Sequence, residues 1–170
     1  MSLPDVAKPR NKRLSFYKYV YDNLSDTYPV VCQGAVSLFG DGWLEDSVLR
    51  ELAAWIELDV ESFGGTNDAR LLVRFTVIVR PSREDVDFMQ KRADAMIESV
   101  QSLMNLTEGN VIPVYDFSDE TDPTRIGEAN NLGYIPKHIA TKDRFDRSDP
   151  THVRYTIHYS LWLWQEGVRP

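Results

Sequence analysis

The chain has 170 residues, 42% of them hydrophobic, and a formal net charge of −7, which is enough for one domain with its own core. The acidic balance excludes broad nucleic-acid binding through a basic surface, and the single cysteine, Cys32, excludes an internal disulfide framework. No stretch reads as a signal peptide or as an apolar run long enough to span a membrane, so assembly in a reducing cytoplasm is expected.

Residues 1–11 carry Pro4 and Pro9 and no apolar period, which predicts a flexible N-terminal arm. Through Arg13, the bases Lys8, Arg10, Lys12 and Arg13 outnumber Asp5. The arm is either a solvated tail or a strap for an acidic neighbour. Over residues 12–25, Leu14, Tyr17, Val20, Tyr21 and Leu24 form one apolar stripe at helical spacing, with Lys12, Arg13, Lys18 and Asp22 on the wet side. Asp26 and Pro29 end that helix. Residues 28–36 are a valine-rich run that predicts a short strand, with Cys32 as a buried small hydrophobe rather than a reactive thiol. From 41 to 61 the acids Asp41, Glu45, Asp46, Glu51, Glu57, Asp59 and Glu61 face only Arg50. Trp43 and Leu44 sit inside this acidic stretch. They either cover the edge of the core or anchor a partner, since Trp is enriched at binding hot spots.

Residues 54–80 predict a long β-hairpin. Ile56, Leu58 and Val60 alternate with Glu57, Asp59 and Glu61, and Leu71, Val73, Phe75, Val77 and Val79 alternate with Leu72, Arg74, Thr76 and Arg80. Gly64, Gly65, Asn67 and Asp68 mark the turn. A turn centred between Gly65 and Thr66 sets Glu61 opposite Arg70 and Glu57 opposite Arg74, two opposite-charge pairs of roughly 0.2–1 kcal/mol each.

A helix over 83–104 follows, with Ser82 as its N-cap and Asp85 completing a capping box. Val86, Met89, Ala93, Met96, Ile97, Val100, Leu103 and Met104 form its core stripe. Residues 111–117 predict a short strand. Residues 118–150 show no period and hold Pro123, Gly127, Gly133, Pro136 and Pro150, so a long irregular insertion is expected. Ile126, Leu132, Tyr134, Ile135, Ile139 and Phe145 make it too apolar for a free linker. It packs either on its own domain or on a neighbour. Its first part is acidic (Asp116, Asp119, Glu120, Asp122 and Glu128) and its later part basic (Lys137, Lys142, Arg144 and Arg147). Opposed blocks of this kind suit head-to-tail contact between subunits. Residues 152–164 alternate again and close the chain as a long aromatic strand. The fold class expected is α+β: a single, mostly antiparallel sheet of four to five strands with two helices packed on one face, in one domain over 1–170.

Catalytic signatures are missing: no nucleophile elbow, P-loop, dinucleotide glycine pattern or zinc-helix motif occurs. His152 and His158 lie six residues apart on the predicted closing strand, about 20 Å, too far to share an ion. The acids of 116–128 do not follow the spacing of a calcium loop. No cofactor, metal or catalytic residue is therefore expected.

The element order is helix, short strand, long hairpin, long helix, short strand, closing strand. With YKYVYDNL at 17–24, AWIELDV at 54–60, LLVRFTVIVR at 71–80, the helix at 85–104 and VRYTIHYSLWLW at 153–164, the chain resembles the tail terminator family of long-tailed bacteriophages. The resemblance covers roughly 12–104 and 152–164, and the long 118–150 segment departs from the smaller members. It implies a structural virion protein of the tail and neck, not an enzyme, assembled in the host cytoplasm. It implies a ring, of six copies in that family, that caps the tail tube, stops its polymerisation and meets the head connector. The partners implied are further copies of the chain, the tail tube protein and the connector, with DNA passing through the lumen unread and no membrane. Trp43, Leu44, Asp119, Glu120, Asp122, Glu128, Lys137, Lys142, Arg144 and Arg147 are the candidate contact residues. A different neck or tail completion protein is the first alternative. A small enzyme or ligand-binding domain built on Trp43, His158 and the acidic loop is the second.

Overall fold

A computed structural model describes residues 8–35, 54–63, 68–80, 86–107, 111–143 and 153–165. The fold is α+β. Helix α1 spans Pro9–Leu24 and helix α2 Val86–Thr107. The strands are β1 (Val30–Cys32), β2 (Ala54–Phe63), β3 (Asp68–Val79), β4 (Val111–Asp116), β5 (Thr124–Asp143) and β6 (Val153–Gln165). They form one six-stranded sheet in the order β1-β2-β3-β6-β5-β4. Only β1 and β2 run parallel; the other four neighbouring pairs are antiparallel.

The expected alternation places the core. Ile56, Leu58 and Val60 of β2, Leu71, Val73, Phe75, Val77 and Val79 of β3, and Tyr155, Ile157 and Tyr159 of β6 are all buried in one cluster. Leu14, Tyr17, Val20 and Leu24 of α1 and Ala93, Met96, Val100, Leu103 and Met104 of α2 belong to the same cluster. Both helices therefore cover one face of the sheet, because neither stripe nor the inward rows can leave water without the other. Phe75 and Tyr159 meet edge to face in this core, with ring centroids 6.0 Å apart. Cys32 is fully buried and its thiol is pushed up to about 12 by the loss of solvent.

Several sequence expectations are corrected. The sheet has six strands rather than four to five, because most of 118–150 is not irregular. Residues 118–122 form bends, and 124–143 form β5. The strand hid its period because its register shifts repeatedly: between Asn131 and Tyr134, between Pro136 and His138, and between His138 and Thr141 against β6, with a further irregularity at Val114/Tyr115 against β4. Each shift inserts a residue and exchanges inside for outside. The hairpin register also differs. Asp59 is opposite Arg74, Glu57 opposite Thr76 and Glu61 opposite Leu72. A slip of two residues keeps every side chain on its face, so hydrophobic alternation alone does not fix it. The described helix α2 runs to Thr107, three residues beyond the expected end. Its expected start at Ser82 lies outside the described residues.

The N-terminal arm is corrected most. The helix begins at Pro9, which sits in the first turn where a missing N–H costs nothing. Asn11, expected in the arm, and Lys12, expected on the wet side, are buried, as are Ser15 and Phe16. The helix is buried over a wide arc because it touches both ends of the sheet. At one end β1 is cut short by a turn in which the Ala35 N–H donates to the Cys32 carbonyl, with Gly34 at φ 78°, the left-handed position a type II turn reserves for glycine. With β1 gone, the Val60 N–H of β2 donates to the Tyr17 hydroxyl over 2.8 Å, and that hydroxyl donates to the Gln33 carbonyl. At the other end, the Tyr115 N–H donates to Ser15 Oγ (2.8 Å) and the Phe117 N–H to Asn11 Oδ1 (3.2 Å), while Arg10 donates to the Phe117 carbonyl (3.1 Å). Strands that stand far apart in the sheet order thus share one helix, so the sheet curls around α1. The polar side of the helix satisfies the otherwise open backbone of β4, one of the ways an edge strand is protected. Pro113 of β4 has no N–H on that edge to satisfy.

Candidate interaction surface

The face of β2, β3 and β6 that points away from the helices is polar along its middle. Glu57, Asp59 and Glu61 line β2, Leu72, Arg74 and Thr76 line β3, and Arg154, Thr156 and His158 line β6. Their arrangement follows from the alternation that buries the opposite rows. At the end near β1 the same face is apolar and closed: Trp55 and Ile78 are register partners and are 3% and 0% exposed. The Trp55 indole N–H donates to Glu57 Oε1 over 3.2 Å, holding that carboxylate at the border between the closed and the open part.

Beyond this border lies a groove of about 440 Å³. Its floor includes the half-buried Leu72; Asp59 and Glu61 form one side, Arg74 and His158 the other. Arg74 and Asp59 are joined across the strands by an ion pair of 2.8 Å between exposed side chains. His158 is the β6 register partner of Arg74, and His138 of β5 is in turn the register partner of His158. Asp59, Arg74, His158 and His138 therefore mark one line across four strands. The groove is bipolar: carboxylates border it on the β2 side and cationic or protonatable groups on the β3–β6 side. An ordered ion pair over a partly apolar floor suits a ligand that brings both signs of charge and an apolar group, more than a simple anion or cation.

The expected contact residues divide differently. Trp43, Leu44, Arg144 and Arg147 lie outside the described residues. Lys137 and Lys142 lie on β5, where Lys142 is the register partner of Tyr155. Asp119, Glu120 and Asp122 are exposed on the bend between β4 and β5, and Glu128 is exposed on β5. Most of these acids have local work. Asp116 accepts from the Ser118 hydroxyl (2.8 Å) and amide (3.1 Å) and from Asn11. Asp119 accepts from the Thr121 hydroxyl (2.7 Å) and amide (3.0 Å). The Ser118 hydroxyl bond holds Asp116, and the Thr121 hydroxyl bond holds Asp119, below the usual carboxylate range. Glu120 pairs with Arg10, and Glu128 with Arg125. The acidic loop is therefore largely neutralised and folded by its own subunit. The groove is not: Glu61 is exposed with no described cation opposite it, its register partner being Leu72.

Sequence reasoning saw the two outward rows but did not bring them together, because the expected register set Arg74 against Glu57. The sequence places His158 on the closing strand, too far from His152 to share an ion, with nothing to show which residues stand beside it. The signal that finds the site is the juxtaposition of unlike outward residues on β2, β3 and β6 once the ladders are in place. Among the described residues no three His, Cys, Asp or Glu side chains converge as metal ligands, and no helix is long and apolar enough to cross a membrane. No family model matches the chain, and no curated protein matches it.

Proposed function

We propose that the chain is a structural subunit of a phage tail, a tail terminator whose copies close into a ring, of six, that caps the tail tube. On this reading the ring stops tube polymerisation, presents its other side to the head connector and lets DNA pass without reading it. The chain is then a virion protein of the neck, not an enzyme, and needs no cofactor. The observation that carries the reading is the order of elements: a leading helix, a short strand, a long hairpin, a long helix, a short strand, the additional long strand β5 and a closing strand, with both helices on one sheet face. Among the described residues, the charged face of β2, β3 and β6 points away from both helices, and on this reading it takes part in contacts between subunits. A ring needs heterologous contacts, in which two different patches of one subunit meet their complements on its neighbours.

The test is direct. Native mass measurement and particle images of the purified protein should give a closed ring of uniform size, and adding the protein to growing tail tubes should fix their length. Tubes that grow on unaltered in its presence would remove the terminator reading. A second reading is favoured by one observation, the groove holding Asp59, Arg74 and His158: a small-molecule binding domain. It predicts a monomer, with a saturable ligand whose binding is lost in His158→Ala and Arg74→Ala.

A further inference from the structure

The groove on the open sheet face holds charge that the fold does not spend. We propose that it binds an apolar α-amino acid as the zwitterion, with the ammonium on Glu61, the carboxylate on Arg74 beside His158, and the side chain on Leu72. The inference names the ligand class for the small-molecule reading of this groove and rests on that reading, not on the tail reading.

Three observations lead there. The first is the lattice of outward residues. The ladders set Asp59, Arg74 and His158 in one row across β2, β3 and β6, and Glu61, Leu72 and Ser160 in the next. Leu72 is only half-buried, so an apolar floor adjoins Glu61 across the strands and Arg74 along its own strand. Charged side chains standing round a small apolar floor suit a ligand with a polar head and an apolar body.

The second is which charges are already spent. Arg74 Nη2 donates to Asp59 Oδ2 over 2.8 Å, which ties up Asp59. Glu57, at the border, takes the Trp55 indole N–H. Arg74 remains exposed and has given one of its five N–H donors to the described residues. Glu61 is exposed and makes no hydrogen bond or ion pair among the described residues. The groove thus offers one unspent carboxylate and one partly spent guanidinium, whose planar fork matches a carboxylate in two-point geometry. A simple anion would meet two carboxylates against one guanidinium. A simple cation would leave both the guanidinium and the apolar floor unused.

The third is span. Glu61 and Arg74 are diagonal neighbours on adjacent strands, a placement that sets residues about 7–8 Å apart. In an α-amino acid the ammonium nitrogen and the carboxylate carbon are two bonds apart, under about 3 Å. With a hydrogen bond of about 2.9 Å at each end, the molecule bridges roughly 9 Å between the two protein head groups. The flexible Glu and Arg stems take up the difference, and the substituent on the α-carbon falls beside Leu72. The groove volume of about 440 Å³ accommodates such a molecule.

The experiment uses the full chain, with leucine and phenylalanine as probes. Calorimetric titrations compare leucine with leucinamide, which lacks the carboxylate, and with 4-methylpentanoate, which lacks the amine. Leucine or phenylalanine is expected to bind saturably, and each leucine analogue at least tenfold more weakly than leucine. Glu61→Gln should bring leucine and 4-methylpentanoate to within about threefold of each other while keeping the preference over leucinamide. Arg74→Gln should do the reverse. A variant that merely misfolds would lose both preferences together, and thermal melts identify it. The His158 ring resonances, assigned with His158→Gln, should shift on adding the amino acid. Leucinamide binding as tightly as leucine would make this a site for amines and overturn the proposal, while the small-molecule reading stands. The proposal is equally overturned if neither amino acid produces heat or a shift. If, in addition, no member of a set of charged small molecules moves the His158 resonances, the small-molecule reading falls with it.

Discussion

The two halves of the sheet teach different lessons about how a sequence specifies a strand. In the β2–β3–β6 half, β3 pairs with β2 and with β6 along ladders that run without a break from Ala54 to Phe63 and from Asp68 to Val79. In the β5–β4 half, the register shifts at four places. The first half is written in strict alternation because each inward residue is locked against two helices. The second half is written in residues that bend and twist a strand: Gly127, Gly133 and Pro136 lie in β5, and Pro113 lies in β4. Bulges raise local twist, and the sheet must curl for both of its ends to reach α1. The irregular half is what lets the regular half be closed by a single helix.

The largest expected effect tests whether stability resides in the unbroken half. Phe75 is fully buried between the helices and Tyr159. Phe75→Ala should cost about 3–5 kcal/mol by removing a buried ring and leaving a cavity. Ile126 of β5 is only partly buried against the same core, so Ile126→Ala should cost about 1–2 kcal/mol, below the range for fully buried sites. Denaturant midpoints of the two variants compare the halves. Equal losses would mean that β5 contributes as much to the core as β3 does.

The next effect tests whether α1 holds the curl. Tyr17→Phe deletes the hydroxyl that accepts from Val60 and donates to Gln33. Asn11→Ala deletes the acceptor of the Phe117 N–H. Each leaves a backbone group unsatisfied, so each should cost about 1–3 kcal/mol. Amide exchange locates the damage. Tyr17→Phe should speed exchange at Val60 while sparing Phe117, and Asn11→Ala should do the reverse. If both variants loosen both ends together, the curl is one cooperative unit.

Much of the first half was legible from sequence, and the reasons are physical. Leu71, Val73, Phe75, Val77 and Val79 could belong only to one face of a strand, and the apolar spacing of α2 could belong only to a helix. The seat of α1 on the far end of the sheet was not legible, because Asn11, Lys12 and Ser15 are residue types that water usually claims. Ser15 and Asn11 are buried where the Tyr115 and Phe117 N–H groups donate to them, bonds that no local pattern announces. Strand β5 was not legible because its bulges cancel the period on which strand reading depends. The groove was half legible: its rows were visible, but the contact that defines it, Asp59 with Arg74, depends on a register that two residues of slip would not betray.

A smaller effect comes from the alkaline side. Burial raises the Tyr17 hydroxyl from 10.0 to about 12 and the Cys32 thiol from 9.0 to about 12. The folded state holds both groups neutral. The stability they contribute is therefore complete below pH 9 and is lost as pH rises from 9 towards 12, where the unfolded chain ionises first. Thermal midpoints should fall across that window. The fall should be shallower in Cys32→Ala from pH 9 upward, and shallower in Tyr17→Phe from pH 10 upward. Unchanged slopes in both variants would place the alkaline sensitivity elsewhere.

The smallest effect sharpens the register itself. Asp59 and Arg74 face each other on the open side, with exposed side chains 2.8 Å apart. A cross-strand pair of this kind is worth roughly 0.2–1 kcal/mol, less in high salt, because water competes for both charges. The expected hairpin register instead paired Arg74 with Glu57 and Arg70 with Glu61. A double-mutant cycle separates the two. Asp59→Ala and Arg74→Ala should couple by that amount at low ionic strength, and the coupling should shrink towards zero near 1 M salt. Glu57→Ala with Arg74→Ala should show markedly less, since Glu57 lies opposite Thr76 and takes its bond from Trp55. Coupling that is larger for Glu57 than for Asp59 would shift β2 against β3 by two residues, and the groove bordered by Asp59 and Arg74 would have to be rebuilt with Glu57 in its place.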